Sequence, residues 1–152
     1  MDERERVLLT LAGVRVFMGA LWLVNLLWKL PPGFGKGNYW GLPRTFEVAH
    51  AHAFTPLLRR FAGSVLVPHT TAVGWIVVIV TLLTGLSLLL GLLTRVGALL
   101  GLVQAIAITL LVANAPGEWL AGYLMFILLS ALLLLLPVSR RASLDDALGR
   151  DP

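Results

Sequence analysis

The chain has 152 residues, 58% hydrophobic and only 13% charged, with a mean hydropathy of +0.88; a soluble domain carries roughly 25% charged residues, so lipid is the better solvent for it. The net charge of +4 comes from basic residues scattered along the sequence, without the basic, aromatic-interleaved patch of a nucleic-acid binder. With no cysteine, the chain has no thiol chemistry or thiolate metal ligation of its own, and any redox chemistry belongs to a cofactor or a partner.

In chain order, Met1 to Arg6 form a charged cap, and an apolar run over about 7–28 follows without a small-residue cleavage signal before Lys29, Pro31 and Pro32. This predicts a spanning helix rather than a removable signal peptide. Residues 31–71 form the long non-spanning segment, rich in glycine and aromatics. Within it, Thr45 to Ala53 predict one short helix, and Thr55 with Pro56 predict the cap and first turn of a second, running to Val67. Phe46, Phe54, Leu57, Leu58 and Phe61 fall largely on one side, as expected of a segment in the membrane interface or folded over the bundle.

Two apolar runs, 72–93 and 96–113, meet at Thr94 and Arg95 within GLSLLLGLLTRVGALLG. Their 22 and 18 residues give about 33 and 27 Å of helix, enough for a hydrocarbon core of about 30 Å. Gly97 and Gly101 make a small-xxx-small step, and Thr84, Ser87 and Gly91 a small, weakly polar strip on the other arm, both expected at helix–helix contacts. The turn Asn114 to Glu118 leads into a run over 119–138, after which come Arg140, Arg141 and a weak capping box of Ser143 with Asp146. The expected fold is all-α: one polytopic transmembrane domain over 1–150, a four-transmembrane-helix bundle with a long extracytoplasmic loop containing short helices between the first and second spans. Arg4, Arg6, Arg95, Arg140 and Arg141 flank one side, whereas Lys36, Arg44, Arg59 and Arg60 are diluted over the long loop and the opposite short turn has no cation. The positive-inside rule then places both termini in the cytoplasm, in a multi-pass protein of the cytoplasmic (inner) membrane.

Polar side chains inside spans are costly and usually face the bundle interior. Arg15 lies 8 residues past Val7, Gln104 8 past Val96, Thr84 9 before Leu93 and Ser130 8 before Val138. All four helices thus place a hydrogen-bonding group at similar depth, which predicts an intramembrane polar layer of Arg15, Thr84, Gln104 and Ser130; the alternative is that Arg15 snorkels to the headgroups along its own helix. Arg15, Trp22 and Lys29 repeat at seven residues with Asn25 one step aside, a seam facing the other helices. Lys29 emerges near Glu118, Trp119 and Tyr123, either as a Lys29–Glu118 tether or as separate interfacial anchors.

The histidines, His50, His52 and His69, lie in or beside the long segment. Glu47 and His50 share the three-residue spacing of bundle metal ligands, but a third ligand is wanting, and neither a metal nor haem is expected. A quinone head group needs hydrogen-bond partners for two carbonyls, an aromatic wall and access for its tail. Lys29, His50, His69, Glu118, Trp119 and Tyr123, with Tyr39, Trp40 and Trp75 nearby, supply those types as a candidate quinone or anion site; the same aromatics equally make an interfacial belt. No catalytic residue is assigned.

The pattern R-x3-G-x2-W-x5-WKLPP (Arg15, Gly19, Trp22, Trp28 to Pro32), then GLSLLLGLLTR, then PGEW with Tyr123, and R-x-SLD at Arg141 to Asp145 resembles the DoxX/DoxD-like family over nearly the whole chain. The resemblance implies a four-helix membrane protein and, by the family's namesake, the small subunit of thiosulfate:quinone oxidoreductase, a part in passing electrons from a sulfur compound to quinone. Many relatives have a glutamate four residues before the glycine matching Gly85, where this chain has Thr81. The expectation is a subunit or partner of a quinone-linked redox enzyme, with quinone as cofactor and lipid, a soluble or membrane redox subunit and a second copy of the chain as partners. The alternatives are a noncatalytic assembly or anchoring subunit and a small-anion transporter using Arg15.

Overall fold

The computed structural model describes residues 2–39 and 41–136. Trp40, the Arg140–Arg141 pair, the Ser143–Asp146 capping box and the end of the fourth predicted span lie outside them. The described residues form α1 (Glu3–Leu27), α2 (Leu42–His52), α3 (Pro56–Phe61) continued by a π-helical stretch (Ala62–Leu66), α4 (Thr70–Leu90), α5 (Thr94–Val112) and α6 (Leu120–Leu135), with no strand among them. Three helices, over Glu5–Leu27, Thr70–Leu90 and Thr94–Val112, are long and apolar enough to cross a membrane, while α6 is a shorter apolar helix. Its 16 residues make about 24 Å.

Neighbouring long helices run antiparallel. α1 meets α4 at a glycine pair: a Cβ on Gly19 would lie 2.5 Å from Leu89 N and 2.9 Å from Gly85 O, and one on Gly85 would lie 2.6 Å from the Leu23 side chain. Only a residue without a side chain lets the two backbones approach so closely. α4 turns into α5 over three residues. Gly91 takes the left-handed conformation (φ 69°), as does Leu93 (φ 51°), and Ser87 Oγ donates to Leu92 O at 2.5 Å while Leu92 N donates to Ser87 O at 3.1 Å. The turn therefore sits at Gly91–Leu93, not at Thr94 and Arg95, which open α5; the residue that tolerates positive φ decides where the chain reverses. α5 packs along α6, and a smaller contact between α6 and α1 closes the bundle.

The long segment folds over the end of the bundle opposite this turn. α2 begins at Leu42, earlier than the expected Thr45, because Pro43 suits a first helical turn after extended Gly41. Thr55 caps α3 as expected, its Oγ1 accepting from Leu58 N at 3.2 Å. The continuous helix expected to Val67 is instead π-helical from Ala62, with Val67 N donating to Ala62 O at 2.9 Å. The apolar side of the segment divides: Phe46 is buried, whereas Phe54, Leu57 and Phe61 face outward. Phe34 (φ 50°) carries its ring over Gly74 and edge-on to Trp75 at 5.8 Å, pinning the 30–42 loop to α4.

Two buried clusters result, one under the loop end (Leu26, Phe34, Leu42, Phe46, Ala49, Ala62, Leu66, Val78) and one in the bundle (Met18, Trp22, Leu88, Ala98, Ala105, Leu133). The exterior of the long helices is apolar, with Phe17, Ile76, Leu83, Val103 and Leu128 all more than half exposed, while Arg15, Thr81, Thr84 and Ser130 are fully buried. Polar groups inside and large apolar side chains outside reverse the order of a water-soluble bundle and match that of a protein in lipid.

A candidate binding cavity under the loop end

Beneath α2, between α1, α5 and α6, lies a cavity of about 430 Å³, within the roughly 300–1,000 Å³ of small-molecule sites. Toward the bundle middle it is lined by Trp22, Gln104, Ala105 and Phe126; its walls include Phe46, Val77, Ile108 and Leu111. Trp22 and Phe126 meet edge to face, ring centres 5.2 Å apart. At the loop end the lining turns polar, with Asn25, Lys29, Tyr39, Arg44, Glu118 and Tyr123. The site thus has an oily interior and a hydrogen-bonding rim.

Each rim group is held by a neighbour. The Lys29 ammonium donates to Asn25 Oδ1, one helical turn back. Burial against the cavity lowers the Lys29 pKa to about 8, because the charged form loses hydration. Tyr123 donates its hydroxyl to Glu118 Oε2 at 2.5 Å, a hydrogen bond to a carboxylate and so among the stronger kinds. The Arg44 guanidinium lies over the Tyr39 ring, 4.0 Å from its centre.

Below the rim, Gln104 ties α5 to α4. Thr81, whose hydroxyl also lies 2.6 Å from Val77 O, donates to Gln104 Oε1 at 2.8 Å, and Gln104 Nε2 donates to Thr84 Oγ1 at 3.1 Å. Thr81 here joins a neutral hydrogen-bonded pair where a carboxylate would introduce a buried charge. One turn down α5, a Cβ on Gly101 would lie 3.1 Å from Trp22 Nε1, 3.2 Å from Thr84 Cγ2 and 3.3 Å from Ser130 Oγ. Side chains from α1, α4 and α6 therefore converge on one glycine of α5. Among the described residues neither Trp22 Nε1 nor Ser130 Oγ has a hydrogen-bond partner. Arg15 is fully buried, so its guanidinium does not run out along the helix surface.

Of the residues singled out from sequence, the cavity brings together Lys29, Glu118 and Tyr123, with Gln104 from the polar layer. Lys29 and Glu118 take separate partners and form no ion pair with each other. His50, His69 and Trp119 lie outside the cavity. His50 Nδ1 sits 3.1 Å from Arg59 O, joining α2 to α3, and His69 Nδ1 sits 3.0 Å from Val65 O, four residues back, so both rings meet backbone carbonyls. Trp119 is 71% exposed and covers Gly122. His52 belongs instead to an open cleft next to the cavity, lined also by Lys36, Tyr39, Arg44 and Glu47. Among the described residues no three His, Asp or Glu side chains converge as metal ligands. Sequence reading missed Arg44 as a site residue: its neighbour Tyr39 lies five positions away across a loop, and no periodicity links them. The α1 seam of Trp22, Asn25 and Lys29 was the available signal, and all three line the cavity.

Comparison of the chain with protein-family models, with curated proteins and with solved structures returns no match.

Proposed function

We propose that this chain is a four-span protein of the cytoplasmic membrane, both termini cytoplasmic, whose cavity binds the head group of a quinone as a subunit or partner of a redox enzyme. In this reading the 16-residue α6 is the fourth span. The observation that carries it is the cavity itself, with aromatic and aliphatic walls for a ring and tail and donors on the rim for carbonyl oxygens. The Lys29 ammonium, with three N–H donors of which Asn25 uses one, donates to one carbonyl and favours the electron-rich reduced ring. The Tyr123–Glu118 pair orients the opposite side. Electrons come from a cofactor or a partner, since without cysteine the chain has no redox-active thiol of its own. The resemblance to DoxX/DoxD-like proteins supports the same reading.

The test is binding of a short-chain ubiquinone or menaquinone analogue to purified protein, followed by quenching of tryptophan fluorescence, since Trp22 and Trp28 line the cavity. Lys29→Met weakens binding about tenfold on loss of a charge-assisted hydrogen bond, while His50→Ala, outside the cavity, leaves it unchanged. Equal affinity of wild type and Lys29→Met removes the cavity from quinone chemistry. A noncatalytic anchoring subunit is the second reading. It is favoured by the outward faces of Phe54, Leu57 and Phe61, and co-purification of a soluble partner that Leu57→Glu abolishes would support it.

A further inference from the structure

The cavity and the open cleft beside it are not separate. Tyr39, Arg44 and Val48 line both, so the Arg44–Tyr39 stack forms the wall between an apolar chamber and a polar, water-facing groove. The cations around this wall, Lys29, Lys36 and Arg44, outnumber the carboxylates Glu47 and Glu118, and Glu118 already accepts from Tyr123. Arg44 is exposed, with its guanidinium over the ring, and no described residue accepts a hydrogen bond from it, so its N–H groups are open to a ligand. Those groups match the paired oxygens of a carboxylate or phosphate.

We infer that chamber and groove together hold a single-chain amphiphile with an anionic head, its chain between α1, α5 and α6 and its head against Arg44 and Lys36. Both parts of such a molecule find their match within one continuous site: the chain is removed from water by Phe46, Ile108 and Phe126, and the oxygens meet two cations at the surface. A neutral ligand satisfies the chamber and wastes the groove; a small anion does the reverse. Ala107, exposed on α5 and also part of the chamber lining, marks the side on which the chain passes in. The amphiphile and the quinone of the redox reading compete for the same chamber, and only the amphiphile draws on Lys36 and the groove.

The experiment titrates delipidated full-length protein, in a nonionic detergent, with dibrominated stearate and reads the quenching of tryptophan fluorescence. Saturable quenching is expected, weakened about tenfold in Arg44→Gln and several-fold in Lys36→Gln, and likewise weakened in Ala107→Phe, which fills the opening from an exposed position without repacking the core. Brominated lysophosphatidate and its choline ester distinguish the head's source. Tighter binding of the fatty acid marks a free carboxylate, and tighter binding of lysophosphatidate a lipid phosphate; either supports the anionic head. The inference is overturned if stearate methyl ester binds as well as stearate, if Arg44→Gln and Lys36→Gln bind like wild type, or if Ala107→Phe leaves quenching unchanged. Circular dichroism and thermal melting of each variant separate lost binding from lost fold.

Discussion

The crossing of α1 and α4 allows a sharp test, because α1 carries two glycines in opposite surroundings. A Cβ on Gly13 meets nothing within 4 Å, whereas one on Gly19 would lie 2.5 Å from Leu89 N and 2.9 Å from Leu89 Cα. Ordinary contact needs about 3.5–4.0 Å, so Gly19→Ala must push α4 away by about 1 Å. Overpacking of this kind typically costs ~1–3 kcal/mol. Against it stands the helix preference of Ala over Gly, up to ~1 kcal/mol, which Gly13→Ala gains without any clash. The two single-methyl changes on one helix are therefore expected to have opposite signs, Gly13→Ala stabilising by up to ~1 kcal/mol and Gly19→Ala destabilising by ~1–2 kcal/mol. Thermal or SDS denaturation of the purified variants in one detergent measures both. Equal stability of the pair, or a Gly19→Ala protein more stable than the Gly13→Ala one, would refute the backbone contact between α1 and α4.

Other consequences are open to measurement. Gln104→Leu removes the tie between α4 and α5 and leaves Thr84 Oγ1 without that donor; a loss of ~1–2 kcal/mol is expected, given the modest worth of interhelical hydrogen bonds in membranes, and an unchanged melting curve would contradict it. Lys29, with its pKa lowered from 10.5 to about 8, binds a proton less readily in the folded than in the unfolded state. Stability should then rise as pH goes from about 8 to 10.5; Lys29→Met should flatten that rise, and an identical slope in both proteins would count against burial of the ammonium. Thr55→Ala removes the α3 cap and should cost ~1 kcal/mol locally, read as faster amide exchange at Leu58.

The spans were legible because hydropathy and helix length act residue by residue: the predicted spans at 72–93 and 96–113 meet helices at Thr70–Leu90 and Thr94–Val112. The exact turn was not, since it depends on Ser87 gripping the carbonyls of Leu92 and Leu93, a contact with no hydropathy signature. In the cavity, Lys29 and Gln104 announced themselves as costly polar groups on apolar helices. Glu118 and Tyr123 stood out because they open the last apolar run at the boundary where Lys29 emerges. The histidines drew attention by residue type alone, yet type does not say which way a ring points, and His50 and His69 turn toward backbone carbonyls. Arg44 gave no signal among the loop cations because its role arises only when the 30–42 loop folds back and brings Tyr39 beneath it.

Gln104 faces the cavity and at the same time holds Thr81 and Thr84. The amide is therefore fixed in place across two helices, with one Nε2 hydrogen and one Oε1 lone pair used in the tie and the other of each left over. A guest that reaches this depth meets a donor and an acceptor whose directions the helix tie has already set.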